Sequence, residues 1–235
     1  MSGDLSDNQY YAIAQYELHL RYYVGQLARI SFPFAYHTVG SSCALRAITY
    51  CRQGGMNKRQ AGEDFYFLQK LFQVETVGYI TSTRVIPSSR TSDRVPFGTG
   101  YAMQVMMQNQ NPEYSTYVPE SFDILKDFFT KIPEFYRTEN IENMYHTLHY
   151  LIQQFISIQE FEYRIVDCKK NSKTFEIFSK RFFHWFNGFQ VFKFMNFAHQ
   201  THFQRIPIQQ AASEFLEMPN KSVYQLLQVL RDNKV

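Results

Sequence analysis

Two adjacent carboxylates, Glu63 and Asp64, follow Gly62 and open a run in which Phe65, Leu68, Leu71 and Phe72 recur at helical spacing. Both acids then fall in a helix's first turn, where unpaired backbone N–H groups and the positive end of the dipole favour negative charge. A carboxylate held there is placed to take a proton from a hydroxyl, or does no more than cap the helix. Further along, Arg84, Arg90 and Arg94 stand in a loop with Ser88, Ser89, Thr91 and Ser92. Guanidinium forks match phosphate oxygens, and a solvated basic loop is the alternative. Glu142, His146 and His149 share one helical face, and His199 and His202 lie one turn apart, spacings that bind metal in helical bundles. Each cluster lacks the second motif of a dinuclear site, so ordinary hydrogen-bonded histidines are the expectation and no metal site is assigned. No Gly-x-Ser-x-Gly, Walker loop or Gly-x-Gly-x-x-Gly occurs.

Reading forward from Tyr36, the chain presents Gly40-Ser41-Ser42 at the end of an expected strand, then Arg46, Gly54-Gly55 and the Glu63-Asp64 pair. In that order and at those intervals, the segment from Tyr36 to Gly100 resembles the acceptor-side half of an inverting family 2 glycosyltransferase. These are GT-A-type enzymes of polysaccharide biosynthesis that use nucleotide-diphosphate sugars. The resemblance implies that Asp64 is the general base and that Glu63 orients it or contacts the acceptor. It implies that Gly40, Ser41 and Ser42 shape the acceptor pocket. Arg94, followed by Val-Pro-Phe-Gly, occupies the place of an element that closes over the nucleotide, with Gly98 and Gly100 as hinges. Arg46 is expected to be structural.

The sequence also departs from that family. No Asp-x-Asp is present, so the divalent ion, Mg or Mn, expected in the complete enzyme finds no ligands in this chain. Pro87-Ser88-Ser89 stands where a histidine metal ligand is expected. No alternating strand–helix nucleotide-binding half precedes the first helix. The expectation is therefore the C-terminal portion of a longer transferase, partnered by an N-terminal half and inactive alone. The alternative, from another class, is a non-catalytic helical interaction protein whose Phe-rich segment binds a partner or a membrane surface.

The 235 residues suffice for one large or two small domains, and 45% hydrophobic against 19% charged residues permits a sizeable core. A net charge of +3 without a dense basic tract excludes nucleic acid as the expected partner. Cys43, Cys51 and Cys168 cannot all pair and have no Cys-x-x-Cys spacing, which favours a reducing compartment. No signal pattern or run of eighteen apolar residues occurs. The expected location is cytoplasmic, with contact to the inner membrane face left open.

Those candidates need elements to hold them. Asp7 is the expected cap of a helix reaching Ile30, which Pro33 ends, and Phe34–Val39 and Thr76–Ile86 read as strands. A short helix before Gly54 and another around Met103, Met106 and Met107 complete residues 1–108, the expected transferase half. Residues 109–235 form a helical extension: Ser121 precedes one helix, Thr138 opens one to Glu160, Ser172 opens the longest, Pro207 starts another, and Ser222 with Gln225 makes a capping box. From Phe175 to Phe197 the phenylalanines leave almost no polar face, the pattern of a buried helix. The fold class expected is α/β, a partial GT-A-like half-domain with few strands, followed by a mostly helical region; helix-rich overall.

Overall fold

The computed structural model describes residues 6–56, 62–80, 82–83, 85, 98–108 and 113–233, the side chain of Ser41 excepted. The described chain is helix-rich with few strands. Along the chain run α1 (Asp7–Arg29), a single 3-10 turn at Gly40–Ser42, α2 (Ala47–Arg52), α3 (Glu63–Phe72) and α4 (Thr99–Met107). Strand β1 (Ser115–Thr116) leads into α5 (Pro119–Thr130), α6 (Ile132–Arg137), α7 (Ile141–His146), α8 (Tyr150–Phe155) and α9 (Ile158–Lys170). Then come α10 (Phe175–Trp185), α11 (Gly188–Thr201), β2 (Ile206–Pro207), α12 (Ile208–Phe215) and α13 (Val223–Asp232).

Two compact units result, and neither ends at residue 108. The first joins Met1–Gly25, Tyr36–Thr116 and Ile206–Val235; the second joins Gln26–Ala35 and Tyr117–Arg205. The C-terminal tail returns to the first unit because β1 and β2 pair antiparallel, Ser115 with Pro207 and Thr116 with Ile206. Ile208 N–H extends the ladder to the Tyr114 carbonyl at 2.8 Å.

In the first unit, α1 buries Ala12, Leu18 and Tyr22, and α13 buries Val223, Leu226, Leu227 and Leu230 at the period of an amphipathic helix. Asp7 is not the cap of α1. Ser6 is: its hydroxyl accepts the Gln9 N–H, and the Gln9 side chain returns to the Ser6 N–H, a reciprocal box. The Ser222–Gln225 box opens α13 as its sequence predicts. Glu17 on α1 receives Arg21 at 2.9 Å and a two-nitrogen grip from Arg231. Burial pushes its carboxyl up, but the hydrogen bonds and charges of the two arginines outweigh it and leave it below the usual range.

The second unit is built round phenylalanine. Phe128 lies 5.6 Å from Phe182, 5.1 Å from Phe186 and 5.7 Å from Phe135, ring centre to ring centre. Most of these contacts are tilted or edge-on, the geometry that aligns ring edges with ring faces. The Phe-rich segment thus supplies core through Phe178, Phe182, Phe186 and Phe194, but as two helices with an outer side where Phe175 and Phe192 are exposed. Asn187 accepts the N–H groups of Phe189 and Gln190 and starts α11 afresh, and Thr174, not Ser172, caps α10. The expected helix from Thr138 to Glu160 is likewise cut, because Asn140, His149 and Ser157 each cap a new start.

Both expected strands of the half-sheet are missing from the described residues. Phe34–Val39 forms no strand, and neither do the described residues of the 76–86 segment. β-branched side chains favour extended backbone, but a strand needs a neighbour to take its ladder hydrogen bonds, and none adjoins these segments among the described residues.

One joint of the second unit is sensitive to acid. Val118 N–H donates to His199 Nε2 at 3.1 Å, while His199 Nδ1 lies 2.8 Å from the Met195 carbonyl. Both bonds coexist only in the neutral ring carrying its proton on Nδ1. Burial lowers the pKa of His199, helped by Arg205 and opposed by the Met195 acceptor. Burial also lowers that of His149, with His202 adding to it and Asp127 opposing. The folded state therefore favours neutral imidazole. The stability this gives is complete above the unfolded value of about 6.5 and is lost as pH falls through the lower folded value. Thermal unfolding is expected to show a midpoint that falls below about pH 6.5, with a shallower decline in His199→Gln.

Candidate functional site

Gly62 precedes α3 with a φ of 73°, a left-handed conformation that glycine adopts at no steric cost. The helix then opens on Glu63 and Asp64, as expected, and both are half-buried. Its buried side is Phe67, Leu68, Leu71 and Phe72, so Phe67 takes the place expected for Phe65. Tyr50 on α2 meets Phe67 at 5.2 Å, and Thr49 donates to Glu75 at 3.2 Å, which braces α2 against the end of α3. Gly54 and Gly55 stop α2, sending their N–H groups back to the Cys51 and Tyr50 carbonyls.

Asp64 is half-buried and tied to backbone through both oxygens. Its Oδ2 accepts the Gly40 N–H at 3.1 Å across 24 residues of chain, and its Oδ1 accepts the Phe65 N–H at 2.7 Å. A carboxylate has about four acceptor positions, so two remain for a ligand hydroxyl. The turn at Gly40–Ser42 lies close against the acid: a Cβ added at Gly40 would sit 2.6 Å from Asp64 Cβ. Gly40→Ala is therefore expected to push the turn and α3 apart, destabilising the first unit by about 1–3 kcal/mol in urea unfolding.

Tyr16 of α1 lies within reach of the Asp64 charge. Burial raises the pKa of its phenol, Thr99 opposes that rise, and the Asp64 charge adds to it. Tyr16 thus stays a neutral phenol near the acid. Neither residue stands out in the sequence, where Tyr16 reads as one more member of an apolar stripe.

The structure brings Gly40 and Asp64 together and keeps Glu63 beside them. Among the described residues the Glu63 carboxylate has no hydrogen-bonding or ionic partner, which leaves it open to ligand. Ser42 is exposed, and Ser42 N–H donates to Val39 at 3.2 Å. The Ser41 side chain, Arg84, Arg90 and Arg94 lie outside the described residues. Arg46 is exposed and precedes α2. Gly98 precedes α4 with a φ of 93°, while Gly100 lies within that helix.

The histidine clusters serve the fold. His149 Nδ1 accepts the Leu151 N–H at 3.2 Å, and His202 meets the Tyr150 hydroxyl at 2.9 Å. The described residues gather no set of three His, Cys, Asp or Glu side chains. No described helix is long and apolar enough to cross a membrane. Comparison of the chain with family models, with curated proteins and with solved structures finds no match.

Proposed function

We propose that this chain supplies the acceptor side of an inverting, GT-A-type sugar transferase. The complete enzyme moves a sugar from a nucleotide-diphosphate donor to a hydroxyl of a glycan or lipid-linked acceptor. One observation carries the reading: the Gly40 backbone and the Asp64 carboxylate, drawn from two segments of the motif order, meet at 3.1 Å at the mouth of α3.

Asp64 takes the proton from the acceptor hydroxyl. The oxygen attacks the anomeric carbon as the bond to the diphosphate breaks, and the nucleoside diphosphate leaves with the bonding pair. Glu63 orients the acceptor, the Gly40–Ser42 turn walls its pocket, and Arg94 offsets the leaving charge. The donor half, with the metal-binding carboxylates, lies outside residues 1–235. Exposed apolar side chains agree with that: Leu45, Ile48, Tyr50, Val74, Tyr79 and Ile80 all face solvent around the motif. A face of that kind usually meets another surface. Soluble nucleotide sugars place the reaction in the cytoplasm, peripheral to the inner membrane face when the acceptor is lipid-linked.

The alternative, a non-catalytic interaction protein working through its Phe-rich segment, has less to use. Phe178, Phe182, Phe186 and Phe194 are at most 1% exposed, leaving Phe175, Ile177 and Phe192 for a partner. Mixing the purified chain with a polypeptide carrying an Asp-x-Asp donor half from the same genome tests the proposal. Labelled sugar is expected to reach a saccharide acceptor only when both are present. Undiminished transfer by the donor half alone would overturn it.

A further inference from the structure

The second unit holds a hollow of about 260 Å³ where α8, α9, α10 and α11 meet. Ile156 and Phe186, 3% and 1% exposed, pack behind it. Its walls carry Trp185, Glu160, Gln190 and Lys193. Trp185 is the chain's single tryptophan. Phe182 and Phe186 meet its indole edge-on at 5.4 and 5.8 Å, and the Arg164 guanidinium lies 5.9 Å from its centre. The ring is therefore held in place by its neighbours. Lys193 rests its ammonium over Phe189 at 4.5 Å, and Glu160 lies 3.7 Å from Arg164.

We infer that this hollow binds a single pyranose residue of a saccharide. The chemistry fits on three counts. A fixed, part-exposed indole suits the C–H face of a sugar ring. Carboxylate, amide, ammonium and indole N–H supply both donors and acceptors for its hydroxyls. The acidic and basic groups oppose each other in sign, which disfavours a strongly charged ligand such as a nucleotide. The volume falls just below the roughly 300–1,000 Å³ of drug-sized pockets, so one ring fits and a nucleotide sugar does not. As the place where a distal unit of the acceptor rests, the hollow depends on the transferase reading. Binding of free saccharide does not. An enzyme that grips a long acceptor away from the reacting hydroxyl uses that binding to position the chain.

Since Trp185 is the only tryptophan, its emission reports on this hollow without any label. The full chain is titrated with methyl β-glucoside, methyl α-mannoside, N-acetylglucosamine and lactose, and with inorganic phosphate as a charged control. A ligand of about a dozen non-hydrogen atoms at ordinary ligand efficiency binds with a Kd on the order of 1 mM. The expected result is a saturable emission change with at least one sugar, weakened about tenfold in Gln190→Ala and in Lys193→Ala, a loss typical of one good hydrogen bond. Gln190 is half-buried and Lys193 exposed, so both variants are expected to keep the wild-type thermal midpoint. No saturable change with any sugar up to about 100 mM, two decades above that Kd, would overturn the inference. So would a change that both variants leave intact, or tighter binding of phosphate than of every sugar. Silent emission beside Asp64-dependent transfer removes the hollow and leaves the transferase. Saturable emission without transfer removes the transferase and leaves the hollow.

Discussion

Asparagine at position 64 is expected to lower sugar transfer by the complete enzyme about a thousandfold, the middle of the range for loss of a general base. The substitution keeps the size of the side chain and one carbonyl acceptor. In the proposed mechanism it removes the group that receives the acceptor proton, so kcat is expected to fall while acceptor KM changes little. Folding is affected far less. Asn satisfies one of the two N–H groups, from Gly40 at 3.1 Å and Phe65 at 2.7 Å, that Asp64 satisfies together. The orphaned donor is partly solvated, so a stability cost near 1 kcal/mol is expected by urea unfolding. Kinetics and unfolding on the same preparation separate the two effects. Transfer within threefold of wild type would assign the base elsewhere.

The largest effect on stability is expected at Phe182. Its ring is fully buried and touches Phe128, Phe135 and Phe186 at 5.6, 5.9 and 6.3 Å between centres. Phe182→Ala removes the ring and leaves a cavity that its rigid aromatic neighbours fill poorly. The expected loss is about 3–5 kcal/mol, read as an earlier urea midpoint of the second unit. Because the chain has two compact units, probes in each are followed separately and not as one transition. Phe175, 36% exposed on the same helix, is the internal control: Phe175→Ala is expected to cost less than about 1 kcal/mol. Equal losses at the two positions would show that the segment is not organised round the Phe128 cluster.

Local chemistry made much of this architecture legible. The start of α3 at Glu63, the end of α2 before Gly54, helix α4 under its methionines and the Ser222–Gln225 box all follow from signals within one turn of each feature. The aromatic density of the Phe-rich segment announced its contribution to the core, but not that Phe175 and Phe192 would stay exposed. Breaks within helices were harder to read. His149 and Asn187 cap α8 and α11 from inside apolar runs whose periodicity continues across them. The two strands failed for another reason: β-branched composition states a preference, and pairing decides whether it is realised.

Long-range placement was the least legible. Nothing near Tyr16 indicates that it comes under the Asp64 charge, and nothing in Ile206–Pro207 indicates that it returns to pair with Ser115–Thr116. The Gly40–Asp64 hydrogen bond is likewise a contact that neither residue's local sequence dictates.

The most direct test is whether the Asp64 carboxylate senses the acceptor. In the complete enzyme with carboxyl-labelled aspartate, the carbon resonance of Asp64 is followed as saccharide acceptor is added to saturation. That resonance is expected to move along the same saturation curve as turnover, while those of Asp167 and Asp232 stay fixed. An Asp64 signal that stays unchanged while turnover saturates would contradict its place at the acceptor hydroxyl.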